Sequence, residues 1–174
     1  MRRFLLAGAP LLLVALLAPR PVQAQLGGLG IGGAVGHTGI SGDRGPDFKS
    51  GMHLAGLADL SLPLVPIGLR GELAYDKLDA TTGSGSLKVA SAVASARLSL
   101  PLPLLHPYAI GGLGYYYANS ALSGSRQGKV GWNGGVGLEL KLPVIRVFGE
   151  ARYHSIGFDG GHVNLIPFSL GLIL

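Results

Sequence analysis

Residues 129–142 read Lys129-Val130-Gly131-Trp132-Asn133-Gly134-Gly135-Val136-Gly137-Leu138-Glu139-Leu140-Lys141-Leu142. Every large apolar residue here carries an even number, and Lys129, Asn133, Glu139 and Lys141 all carry odd ones. An extended chain points successive side chains to opposite faces, so this stretch reads as a strand with one apolar and one charged face. A 3.6-residue helix would mix the two sets.

The same period runs outward in both directions. In 144–155, Ile145, Val147, Ala151 and Tyr153 oppose Arg146, Glu150, Arg152 and His154, with Phe148 a misfit on the charged side. In 66–77, Leu69, Leu73 and Tyr75 oppose Arg70, Glu72 and Asp76. In 50–62, Met52, Leu54, Ala58, Leu60 and Leu62 oppose His53, Asp59 and Ser61. In 87–100, Ala90, Ala92, Ala94, Ala96 and Leu98 oppose Ser91, Ser95, Arg97 and Ser99. Further strands are expected at 27–38, 107–118 and 164–174, which makes eight in all.

Two kinds of connection alternate between them. Gly39–Lys49, Leu78–Ser86, Asn119–Gly128 and Ile156–Val163 are polar and rich in glycine or serine. Leu62-Pro63, Leu100-Pro101 and Leu142-Pro143 are tight and built on proline. Loops at one end and turns at the other are what an antiparallel up-and-down barrel produces.

The pooled charged face holds Asp59, Glu72, Asp76, Glu139 and Glu150 against Arg70, Arg97, Lys141, Arg146 and Arg152. Balanced charges can pair, as the interior of a narrow barrel requires. Only 13% of the residues are charged, low for a surface that faces water. Tyr75, Trp132, Tyr153 and Phe168 lie on the apolar face, as an interfacial aromatic girdle would. The fold expected is therefore an all-β, eight-stranded transmembrane β-barrel, apolar outside. Asp59, Arg70, Glu72, Asp76, Arg97, Glu139, Lys141, Arg146, Glu150, Arg152 and His154 would form its interior charge network. Lys77 and Lys88 break the pattern at strand ends, where a polar rim is expected.

Arg2 and Arg3, the apolar run Phe4–Ala18 and the Val22-Gln23-Ala24 site read as a signal peptide over residues 1–24. Cleavage after Ala24 would leave one barrel domain, 25–174. Three of the 14 basic residues lie in that leader, so the barrel carries 11 basic residues against 9 acidic. Nothing in that balance, and no basic run, calls for nucleic acid. The absence of cysteine excludes thiol catalysis and cysteine-ligated metal.

Asn133–Leu140, Glu150-Ala151-Arg152-Tyr153-His154 and Ile166-Pro167-Phe168-Ser169-Leu170-Gly171-Leu172 resemble the closing hairpins of the outer-membrane β-barrel domain family, the porin-like OmpA/OmpX-type small barrels. Pro107-Tyr108-Ala109-Ile110-Gly111-Gly112-Leu113-Gly114 resembles that family's central strand. The likeness is clear over 107–174. It implies location in the cell outer membrane with both mature termini in the periplasm. The partners implied are outer-membrane lipid, the barrel-insertion machinery and an extracellular ligand met through the loops. The family is functionally mixed, so no activity is implied. Such barrels usually end in an aromatic residue, whereas this sequence ends in Leu174.

Gly28-Leu29-Gly30-Ile31-Gly32-Gly33 fits a dinucleotide fingerprint literally, but no strand precedes it and no helical pattern follows, so a glycine-rich first strand is expected. His154-Ser155 beside Glu150 and Asp159 suggests a barrel hydrolase of the lipid A deacylase kind. Adjacent strand residues face opposite ways, though, which parts a nucleophile from its base. The five histidines show no ligand spacing, and Asp43, Asp47 and Asp159 read as solvated loop acids. No catalytic residue, metal or cofactor is assigned. The function expected is a structural or surface-interaction barrel without a wide pore. The alternatives are the lipid-modifying hydrolase and a soluble periplasmic barrel that binds an apolar ligand.

Overall fold

The computed structural model describes residues 28–42, 49–62, 65–81, 85–120, 126–158 and 161–174. The expected leader, Pro63, Asp43, Asp47 and Asp159 lie outside the described residues. Eight strands follow in order: β1 (Leu29–Gly42), β2 (Gly51–Ser61), β3 (Ile67–Asp79), β4 (Ser86–Ser99), β5 (Leu105–Ser120), β6 (Arg126–Lys141), β7 (Arg146–Phe158) and β8 (Gly161–Ile173). Each pairs antiparallel with the next, and β8 returns to β1, closing an up-and-down barrel.

The register fixes the barrel's dimensions. The ladder runs Gly32, Leu57, Glu72, Val93, Gly114, Gly131, Ile156, Val163 and returns to β1 at Gly42, ten residues beyond its start. Ten residues at ~3.3 Å against eight strands at ~4.8 Å tilt the strands by about 41° and set a backbone radius of about 8 Å. So narrow a barrel is filled by its own side chains.

Proline marks one end. The turns close through bonds from the Leu62 amide to the Ile67 carbonyl, Leu100 to Pro107 and Leu142 to Ile145. At the other end the strands run two to four residues past the expected boundaries. Gly39–Gly42, Leu78-Asp79, Asn119-Ser120, Arg126–Gly128, Ile156–Phe158 and Gly161–Val163 are strand, not loop. Glycine, serine and asparagine are weak strand formers, but an adjacent paired strand overrides that preference.

The faces are inverted relative to a water-soluble protein. Leu73, Val130 and Leu170 are 70%, 69% and 68% exposed, while Arg70 and Asp59 are 1% and 2% exposed. An apolar band this wide around the whole outside is the pattern of a barrel set in lipid. It removes the soluble alternative, whose core would hold those leucines. Phe148 is not an error of phase. It points inward and is buried.

The interior is layered. Below the loops lies an apolar plug of Leu78, Leu87, Val89, Val93, Ile156, Val163 and Leu165 around Tyr116. Toward the turns a second apolar layer joins Ala34, Ala55, Leu57, Ala74, Phe148 and Ile173. The charged residues occupy the space between and beside these layers.

Candidate functional site

Alternation on β2, β3, β4, β6 and β7 delivers charged groups to one lumen. Asp59 accepts two bonds from Arg70, from Nε at 2.7 Å and Nη2 at 3.1 Å. Arg97 Nη1 and Arg146 Nη1 stand 3.5 and 3.6 Å from the same carboxylate. Both also reach Glu139, at 2.6 and 3.5 Å. Arg70 Nη1 donates across the lumen to Glu150 at 2.9 Å. The Tyr108 hydroxyl donates to the same oxygen at 2.7 Å. Arg152 lies 2.6 Å from the other Glu150 oxygen and 3.3 Å from Glu72. Guanidinium planes suit such shared carboxylates because their donors form a rigid fork.

A second polar group lies beside this chain of ion pairs. Asp76 accepts from Thr38 and stands 2.9 Å from His53 Nδ1. The Tyr116 hydroxyl lies 2.7 Å from His154 Nδ1.

Two inward aromatics complete the packing. The Arg70 guanidinium carbon lies 4.8 Å from the Phe148 ring centre, and that of Arg97 lies 5.0 Å from the Tyr108 ring centre. Each ring sits over a glycine. A Cβ on Gly137 would fall 2.3 Å from Tyr108, and one on Gly171 would fall 2.4 Å from Phe148. Those positions need glycine for room.

Ten of the eleven expected network residues are brought together. Asp59, Arg70, Glu72, Asp76, Arg97, Glu139, Glu150, Arg152 and His154 are buried, and Arg146 is half-buried. Lys141 is the correction. It shares their parity but is exposed, because β6 ends there and its side chain stands at the barrel mouth. His53, Thr38, Tyr108, Tyr116 and Phe148 belong to the interior and were missing from that set. Parity already placed His53 and Phe148 on the charged side. Tyr108 and Tyr116 lie on β5, which has no acidic or basic residue between Pro107 and Ala118 to set its phase.

Of the expected girdle residues, Tyr75, Trp132 and Phe168 are exposed and Tyr153 is half-buried. Trp132 and Tyr153 are in contact, ring centres 5.6 Å apart. Phe168 lies near the middle of β8, away from either rim. Tyr115 and Tyr117 also face outward near the loop end.

The hydrolase geometry is not assembled. His154 is buried in the lumen, whereas Ser155 carries the opposite parity on β7. The Gly28–Gly33 motif is the start of β1, not a strand-to-helix turn. Among the described residues, no three histidine, aspartate or glutamate side chains converge as metal ligands.

The family model described as outer membrane protein beta-barrel domain matches residues 9–173. No curated protein matches the chain in sequence. Among solved structures, the barrel is similar to Neisserial surface protein A, with a TM-score of 0.68 and 21% identity over 84% of this chain and 96% of that one. It is also similar to Ail, the attachment invasion locus protein of Yersinia pestis, with a TM-score of 0.57 and 16% identity over 86% of this chain and 100% of that one. Another structure of Ail, in complex with the heparin analogue sucrose octasulfate, aligns with a TM-score of 0.50 and 17% identity over 84% and 97% of the two chains. At these identities the likeness is one of fold.

Proposed function

The chain belongs to the outer membrane protein beta-barrel domain family, and from that premise we propose a surface-interaction barrel, closed to solutes, with its loops outside and both termini in the periplasm. One observation supports the reading: among the described residues, ion pairs and an apolar cluster both lie across the lumen. The ion pairs from Arg146 to Glu72 cross it, and the Leu78–Ile156–Leu165 plug seals it under the loops. A charged solute would have to break buried pairs and then cross a dry layer. Function is thereby left to the two surfaces that remain, the loops and the lipid face. That a fold relative was crystallised with a heparin analogue supports a surface-interaction role.

In this reading the barrel is not an enzyme: among the described residues, the buried His53 and His154 are engaged by Asp76 and Tyr116, and Ser155 carries the opposite parity to His154. Residues 1–24 are its cleaved leader, and the barrel-insertion machinery places it in the membrane. The test is single-cysteine labelling of intact cells with an impermeant reagent. Cysteines at Ser84 and Ser123 are expected to label, and one at Pro101 only after permeabilisation. The reverse pattern overturns the orientation. A stable large conductance from the purified protein in planar bilayers overturns the closed lumen.

A further inference from the structure

The turns at the proline end carry no polar side chain. Residues 62–67, 100–105 and 142–145 hold only leucine, isoleucine, valine and proline. Turns that stand in water favour glycine, asparagine, aspartate and serine. Here Val65, Leu102, Leu104 and Val144 are all exposed, Leu104 at 61%. Down β3, β4 and β6 the exposed Ile67, Leu98 and Leu138 lead straight into these turns. Leu174, 68% exposed and bonded to Ile31, closes the ring between β8 and β1. The barrel therefore ends in an apolar crown that continues its lipid face.

The aromatic residues set the depth of that crown. Aromatic girdles flank both edges of the apolar band of a membrane barrel. Among the described residues, every outward tyrosine and tryptophan lies in the half of its strand nearer the loops: Tyr75, Tyr115, Tyr117, Trp132 and Tyr153. None marks the turn end. From Tyr115 to Leu105 on β5 the chain covers ten residues. It covers ten again from Trp132 to Leu142, one residue past β6, and from Tyr75 to Val65, two residues before β3. Ten strand residues at a tilt of about 41° descend about 25 Å, which is the height of the apolar band of such barrels. The far edge of the band therefore falls on the turns themselves.

The turn backbone suits that place. An amide without a partner is costly where water is scarce. Pro101 and Pro103 carry no N–H, and the amides of Leu62, Leu100, Leu102 and Leu142 are bonded to nearby carbonyls.

We propose that the crown is a lipid anchor, in which the turn leucines and valines dip into the acyl chains of the adjoining phospholipid leaflet while the turn backbone lies at headgroup level. That this is the periplasmic leaflet rests on the orientation proposed above. Acyl chains are the occupant because the crown is continuous with a face already in lipid and circles the barrel. A protein partner on one side would cover only part of such a ring.

The test moves the protein's single tryptophan. Trp132→Phe removes it from the lipid face, and Leu102→Trp or Leu104→Trp in that background sets it in the second turn. Asp79→Trp in the same background is the water reference, since Asp79 is largely exposed at the loop end. Each protein is folded into phosphatidylcholine vesicles, and gel mobility before and after heating verifies the barrel. Phospholipid brominated near the headgroup end of its chains is expected to quench a turn tryptophan as strongly as it quenches Trp132 of the wild type. Acrylamide in the water should quench it clearly less than the tryptophan at position 79. Acrylamide quenching equal to that reference would put the crown in water and overturn the proposal. Protection from both quenchers would mean that a second copy covers the crown, and overturns it too. Leu104→Trp decides the matter where Leu102→Trp does not fold. Both leaflets of the vesicle have the same lipid, so the result is independent of which way the barrel faces, and the orientation fails or stands separately.

Discussion

Arg70 and Glu150, 80 residues apart in the chain, meet across the barrel lumen with Nη1 2.9 Å from Oε2. Neither strand pairs with the other, since β3 lies between β2 and β4 and β7 between β6 and β8. The contact therefore spans the interior and depends on closure of the whole ring. Arg70 also grips Asp59, and Glu150 also receives Tyr108 and Arg152. Each charge is shared, so neither can be removed without stranding others.

The costs of removing the two members should not add. Glu150→Ala leaves Arg70 and Arg152 undercompensated in a buried site, and Arg152→Ala leaves Glu72 without its arginine. Each is expected to lower stability by about 3–5 kcal/mol. Replacing Arg70 and Glu150 together by methionine should cost less than the sum of the two single changes. Tyr153→Leu, on the lipid face, should be mild. Equilibrium unfolding in detergent micelles measures all four, and silent charge deletions would contradict the buried network.

The lipid face makes the converse prediction. Val136 lies mid-strand on β6 and is 64% exposed. In water Val136→Lys would be nearly neutral. In a bilayer near the midplane it should cost about 2–4 kcal/mol. Folding titrations of the variant in lipid vesicles read the difference directly.

Gly137 and Tyr108 should be coupled. An alanine Cβ at 137 would overlap the Tyr108 ring at 2.3 Å. Overpacking of this kind costs about 1–3 kcal/mol. Tyr108→Leu shortens the intruding side chain, so in the double variant Gly137→Ala should cost clearly less than it does alone. Additive losses in a double-mutant cycle would show that the ring moves aside freely.

The leader reading predicts Gln25 as the first residue of membrane-inserted protein. Intact mass of material purified from outer membranes checks it, and a mass that includes residues 1–24 would refute cleavage.

The alternation in 129–142 was enough to assign faces, because which side of a strand a residue occupies depends only on its parity. That is a local property of extended backbone. Strand number and the alternation of loops with turns followed from proline and glycine for the same reason. What the residues alone could not carry was the shear of ten, since closure is a property of all eight ladders together. The shear decides which side chains meet across the lumen. It places Arg70 on Glu150, lays Phe148 over Arg70 and leaves Lys141 outside at the rim. Parity classed Leu78, Val89 and Ile156 with the charges but could not show that they gather into one dry plug. Sidedness is written residue by residue, whereas partnership across a closed barrel is decided by tertiary structure, because it depends on the register of every strand between.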